Sequence, residues 1–155
     1  MTRRAGAAVG DDGAGAGSGA QTEAAAAHDS WDDDVARGLV PPSAWAADEQ
    51  ARARGRVAVF NAGRPGGLDG WTMDARQYAA LREVILTALD EAGPEGILLK
   101  DLVALTQAEL GEHELFPKGR LRNCCTFTKV DLEARGLVRR LPGRGAKRVA
   151  LAPRP

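Results

Sequence analysis

Arg122, Asn123, Thr126 and Lys129 are the residues whose types and spacing carry a recognisable chemistry. At 100° per residue, Arg122, Thr126, Lys129 and Glu133 share one side of a helix, with Asn123 beside them. The opposite stripe is Leu121, Cys125, Thr128 and Leu132. An arginine offers a bidentate donor pair to guanine, an asparagine pairs with adenine, and a threonine presents a hydroxyl or a methyl to a base edge. Lys118 and Arg120, near the N-terminus of this helix (about 119–135), are placed for phosphate oxygens. Beyond Gly136, the runs Leu137–Pro142 and Ala146–Leu151 read as two strands joined by Gly143-Arg144-Gly145. Arg139, Arg140, Arg144, Lys147 and Arg148 are expected on this hairpin, against the DNA backbone or the minor groove. The competing reading is the polar outer face that any amphipathic helix shows. Basic residues concentrated there, with no acid in the helix before Asp131, favour DNA contact.

Other chemistries find little support. His28, His113, Cys124 and Cys125 match no zinc-ligand spacing. Neighbouring cysteines on a helix diverge by about 100° and do not form an ordinary disulfide. They read as small apolar packing residues; a redox-sensing thiol, activated by Arg122 and Lys129, is the alternative. Gly63-Arg64-Pro65-Gly66-Gly67 lacks the lysine and serine or threonine of a phosphate loop. No serine–histidine–acid set is suggested. No enzyme activity, metal or cofactor is expected.

The elements that must carry these residues follow from local signals. Ser43 is expected to cap a helix over Ala44–Arg54, ended by Gly55, with a short strand at Val57–Phe60. Gly63–Gly70, rich in glycine, reads as a loop or linker. Asp74 followed by Gln77 predicts a capping box for a helix from Ala75 to Glu91, with Tyr78, Leu81, Val84, Ile85, Ala88 and Leu89 on its buried face. Ile97-Leu98 forms a very short strand. A second helix spans Asp101–Leu110, with Leu102, Leu105 and Leu110 inward. The third carries the candidate residues and stops at Gly136. Trp31, Trp45 and Trp71 are expected to pack an N-terminal extension onto the domain or onto a second copy.

The 155 residues balance 21 lysines and arginines against 21 acids, so the total says nothing about partners. Their distribution does. From Pro117 onward eleven basic residues face two acids, a formal +9 in 39 residues, and the rest of the chain is acidic by the same amount. Such asymmetry points to an anionic partner. No run of about 20 apolar residues exists to span a bilayer, and no export signal is read. The absence of a disulfide framework fits the cytoplasm, with association to the nucleoid if DNA is bound. Residues 1–28, mostly alanine and glycine, are expected to be disordered. The acids of Asp29–Asp34 read as a solvated helix start behind Ser30. The alternative is that they lie on the basic C-terminal surface and compete with DNA.

The run Lys129-Val130-Asp131-Leu132-Glu133-Ala134-Arg135-Gly136-Leu137-Val138-Arg139-Arg140 resembles the end of the recognition helix and the start of the wing in MarR-type winged-helix regulators. Together with Leu115-Phe116-Pro117 it is more closely similar to small bacterial winged-helix proteins of unassigned function. The resemblance covers about Val57–Leu151 and implies DNA binding through helix three and the wing. Two departures stand out: Leu99 replaces a threonine cap before the second helix, and Cys124 and Cys125 replace large aromatics.

The expected architecture is mostly α with a small antiparallel β wing, a winged helix-turn-helix at 71–155. It follows an accessory extension at 29–70 and the tail at 1–28. Double-stranded DNA is the expected partner, in transcriptional control. A homodimer through Val57–Phe60 or Ala44–Arg54 remains open. The alternative function is a winged-helix module for protein interaction or dimerisation without sequence-specific DNA binding.

Overall fold

The computed structural model describes residues 40–154. The expectations for residues 1–39, including Ser30, Trp31 and the acids of Asp29–Asp34, lie outside the described residues. The chain is mostly helical with two small antiparallel sheets. It runs α1 (Pro42–Arg52), β1 (Arg56–Phe60), a 3-10 turn (Pro65–Gly67), β2 (Leu68–Asp74), α2 (Ala75–Ala92), a second 3-10 turn (Gly93–Glu95), β3 (Ile97–Leu98), α3 (Leu99–Leu110), α4 (Leu121–Ala134), β4 (Val138–Arg140) and β5 (Arg148–Leu151). Among the described residues no helix is long and apolar enough to cross a membrane.

Strand β1 is the hub. Four of its five residues are buried. Alternation sends Val57 and Val59 into the main core with Leu81, Ile85, Leu102 and Leu132. It sends Ala58 and Phe60 into a second cluster with Val40, Ala44, Ala51 and Ala134. One edge of β1 pairs antiparallel with β2, Val57 opposite Met73 and Ala58 opposite Thr72, with an irregularity before Phe60 meets Leu68. Side chains close the other edge. The Ala58 N–H donates to Asp48 at 2.9 Å, and the Phe60 N–H donates to Asp131 at 2.8 Å. A strand covered on both faces and both edges is interior structure, so Val57–Phe60 offers no free edge for a dimer.

This changes the reading of the N-terminal part. The stretch taken as a loop at Gly63–Gly70 contains a 3-10 turn and the first residues of β2. Glycine and aspartate at Gly70 and Asp69 disguise the strand locally, and pairing with β1 overrides that weak propensity. A boundary at 70/71 therefore cuts through β2, whose Met73 is buried in the same core as α2 and α4. The first helix starts two residues before the expected Ala44. Its cap is Pro41 without a side-chain bond, and Pro42 supplies a pre-set φ in the first turn.

Helix α2 is capped as expected on one side of the box only. Asp74 accepts from the backbone N–H groups of Arg76 and Gln77, at 2.8 and 3.3 Å. The Gln77 side chain does not fold back; it donates to the Leu115 carbonyl at 2.6 Å and ties the turn before α4 to α2. Burial alone would raise the Asp74 carboxyl, but the two backbone donors and Arg76 hold it below the ordinary carboxylate range. A depressed carboxylate contributes stability above its unfolded pKa and loses it as pH falls through the folded value. Asp74→Ala is therefore expected to cost about 1 kcal/mol near neutrality. Denaturation midpoints measured down the pH scale should show the gap between wild type and variant closing in acid.

The second sheet is ordered β3-β5-β4, so the two-residue β3 sits beside the last strand. Ile97 lies opposite Val149, and Val138 opposite Leu151. Helix α3 has no side-chain cap; Leu98 is its N-cap and Leu99 its first residue. The Leu99 N–H, one of the orphan donors of a helix start, donates to the Lys147 carbonyl at 2.9 Å. The approach to β5 thus does the work of the absent threonine. Thr106 is buried on α3 where Leu105 was expected, and Leu105 is half-buried.

Gly96, just before β3, has φ +67°, and a Cβ there would fall 2.3 Å from the Val149 carbonyl oxygen. That oxygen is backbone in a paired strand and has no room to retreat. Gly96→Ala is expected to lower stability by about 2 kcal/mol or more, from left-handed strain plus displacement of β5. Urea titration checks it; a loss below about 0.5 kcal/mol would contradict the close approach.

Candidate nucleic-acid interface

Helix α4 is held at its C-terminal end and open at its N-terminal end. Gly136, at φ +81°, ends it in the left-handed conformation. The Leu137 N–H donates to the Leu132 carbonyl at 3.0 Å and the Gly136 N–H to the Glu133 carbonyl at 3.1 Å. These are the two bonds of a Schellman stop, with Leu132 and Leu137 both buried beneath it. The expected inward stripe, Leu121, Cys125, Thr128 and Leu132, is buried as a set. At the other end no side chain caps the helix. Lys118, Arg120, Arg122, Asn123 and Thr126 are all exposed. The Thr126 hydroxyl donates to the Arg122 carbonyl at 3.0 Å, which leaves its oxygen lone pairs and methyl facing outward. Among the described residues, neither Lys118, Arg120 nor Arg122 forms an ion pair.

Lys129 does not belong to that outward set. It is 4% exposed, and its Nζ lies 3.0 Å from Glu133 one turn later. The same Glu133 oxygen accepts from Arg140 Nε on β4 at 3.0 Å. Glu133 therefore clamps the helix to the hairpin, and that bond raises the Arg140 guanidinium pKa. Arg140 itself remains largely exposed.

Strand alternation separates the remaining hairpin arginines. Arg140 shares a face with its partner Val149, which is in the core; Arg139 and its partner Ala150 take the other face. Arg139 lines a shallow depression with Leu89, Asp90, Gly93 and Pro94 at the end of α2, and its Nε donates to the Leu151 carbonyl at 3.2 Å. Arg148 donates to the Glu95 and Gly96 carbonyls at 3.1 and 3.0 Å. Arg148 thus braces the turn after α2, and Arg139 is tied to β5. Arg144 and Lys147, at the tip, are exposed and unpaired among the described residues.

The two acids from Pro117 onward are both matched inside the fold. Glu133 holds Lys129, and Asp131 holds Arg135. The formal excess of nine is therefore carried by the remaining basic residues of that segment. Asp131 is 0% and Arg135 1% exposed. Arg135 Nε donates to Asp131 at 2.9 Å, Nη1 to Asp48 on α1 at 3.1 Å, and Nη2 to the Ala58 carbonyl at 3.2 Å. Its guanidinium carbon sits 4.1 Å from the centre of the Phe60 ring, with Trp45 and Tyr78 at 5.4 and 5.7 Å. Tyr78 Oη donates to Asp131 at 2.6 Å. Burial drives the Tyr78 hydroxyl pKa well up, so the phenol stays protonated as a donor. Burial also pushes the Asp131 carboxyl up, against the pull of Arg135, Tyr78 and the Phe60 N–H. The helical wheel put Arg135 next to Leu132, and Asp131 and Arg135 are four apart. That pairing was the available signal for an internal role.

Burial raises the pKa of both thiols, outweighing Arg120 near Cys124 and Lys129 near Cys125. Cys125 packs in the core with its Sγ 3.5 Å from Thr106 Oγ1. This is the packing role expected, without the lowered thiol pKa that a redox sensor needs. His113 Nδ1 accepts from the Leu115 N–H at 3.2 Å and shapes the turn into α4. Trp71 meets Phe127 of α4 edge-on at 4.7 Å, and Trp45 meets Phe60 at 4.9 Å. These two tryptophans pack the N-terminal elements onto the domain.

The chain belongs to a family of unknown function, DUF6958, whose model matches residues 56–149. The match starts on the first residue of β1, so the β1–β2 hairpin is part of the family unit and α1 precedes it. No curated protein and no solved structure matches the chain.

Proposed function

We propose that this family member is a DNA-binding winged-helix protein acting in transcriptional control. The observation that carries the reading is the exposed N-terminal half of α4. Lys118, Arg120, Arg122, Asn123 and Thr126 stand there together, and no acid pairs with the three cations among the described residues. Arg144 and Lys147 add charge at the hairpin tip. The order α2, β3, α3, α4, β4, β5, with β3 beside β5, is the order of a winged helix. In this reading Arg122, Asn123 and Thr126 enter the major groove, Lys118 and Arg120 meet phosphates at its edge, and Arg144 and Lys147 follow the backbone or the minor groove. Arg140 assists from the hairpin while Glu133 sets its angle. Lys129, Arg139 and Arg148 support the interface from behind.

The test is fluorescence anisotropy of a labelled random-sequence duplex, titrated with salt. Log affinity should fall linearly with log salt, with a slope of about −4 to −5 for five neutralised phosphates. Binding that ignores salt, or no binding in low salt, would favour a protein-interaction module. Selection of bound duplexes from a random pool then tests whether Arg122 and Asn123 confer sequence preference.

A further inference from the structure

Among the described residues no acid pairs with Lys118, Arg120 or Arg122 on the exposed face of α4. Four acids, Asp29, Asp32, Asp33 and Asp34, fall within six residues just ahead of the described part. That part begins at Val40, which is 4% exposed and packs in the cluster that holds Ala134, the last residue of α4. The connection therefore enters the fold at the cluster that also holds the C-terminal residue of the same helix. From Ala134 back to Arg122 is twelve residues, about 18 Å along the axis at 1.5 Å each. Asp34 is six residues from Val40 and Asp29 eleven, which gives extended reaches of about 20 and 36 Å. Asp34 has length only for Arg122, but the acids toward Asp29 have the length to meet Lys118, Arg120 and Arg122 without any change in the folded part.

We propose that the Asp29–Asp34 segment docks on the exposed face of α4, as an internal stand-in for phosphates that DNA must displace. The competition follows from the DNA-binding reading; the docking does not depend on it. Contact between opposite charges on an exposed helix face is weak and screened by salt, with a Debye length of about 8 Å in physiological conditions. Tethering compensates, because a segment joined by five intervening residues is present at high effective concentration. A helix start exposed to water would explain the acids as well, but not their position within reach of an uncompensated cationic face.

Two measurements on the full chain test this. Deleting residues through 70 would remove β1, so substitution is used instead. Carbodiimide zero-length cross-linking of the free protein, read by mass spectrometry, should join Asp29–Asp34 to Lys118 within one chain and lose those links in high salt. Their absence, or links formed only between chains, overturns the docking whether or not the protein binds DNA. In the second measurement, the D29N/D32N/D33N/D34N protein should bind a random duplex about tenfold more tightly than wild type in low salt, the gap narrowing as salt rises. Equal affinity of the two proteins, with the cross-link present, overturns the competition. A duplex that neither protein binds overturns the DNA-binding reading and leaves the cross-link to decide the docking.

Discussion

Arg135→Ala is expected to destabilise the fold by about 3–5 kcal/mol, the cost of removing one partner from a buried ion cluster. The side chain makes three directed hydrogen bonds, to Asp131, Asp48 and the Ala58 carbonyl, and each partner would lose its donor inside the core. The loss would reach both hydrophobic clusters, because Asp131 and Asp48 also hold the N–H groups of Phe60 and Ala58 along the closed edge of β1. Thermal unfolding should fall by about 10 °C or more. Arg135→Lys should rescue little. An ammonium on a flexible stem does not reproduce the planar donor fork, nor its stacking on Phe60 at 4.1 Å. Guanidinium titration of both variants measures this, and a shift under about 1 kcal/mol for alanine would show that the cluster is dispensable.

The second large effect is on DNA. The triple variant K118A/R120A/R122A should lose about 100-fold in affinity near 50 mM salt, and its log–log salt slope should become shallower by about two units, at about 0.9 for each of the phosphates met by Lys118 and Arg120. Its stability should barely move, because all three side chains are exposed and free of ion pairs among the described residues. Arg139→Ala and Arg148→Ala supply the contrast. Their donors are engaged by the Leu151, Glu95 and Gly96 carbonyls, so they should cost stability and leave the salt slope unchanged. If the two pairs of readouts exchanged places, the division of the basic residues into an outer face and a structural brace would be wrong.

Much of the skeleton was legible because it depends on neighbours in the chain. The apolar period of α2, the Asp74 start, the Gly136 stop and the inward stripe of α4 are each decided within a few residues. The candidate site was legible to the same extent. Arg122, Asn123 and Thr126 face outward because a helix of known phase must show that side once Leu121, Cys125, Thr128 and Leu132 are buried.

Lys129 marks the border of the two stripes, about 60° from Leu132 on the wheel. It belongs by angle to the flank of the outward stripe, but Glu133 one turn on holds its ammonium and the surrounding fold covers its stem. Strand β2 was hidden for a related reason: its pairing partner, not its composition, makes Leu68–Asp74 a strand. The basic hairpin was read as one surface because counting charges ignores the period of two that sends Arg139 and Arg140 to opposite faces.

The helices, their phases, the left-handed stop and the gathering of positive charge in the last quarter are readable from the chain alone. Those properties are set by short-range geometry and by covalent order. Packing in three dimensions settles that β1 is interior, that Asp131 and Arg135 are core residues, and which basic side chains are held. The buried cluster depends on groups 53 to 87 residues apart meeting in space, Tyr78 with Asp131 and Asp48 with Arg135 among them, whereas Lys129 and Arg140 are held by Glu133 close by in the chain. A buried charge is tolerable only where such distant partners converge, and the four-residue spacing of Asp131 and Arg135 does not by itself say that they do.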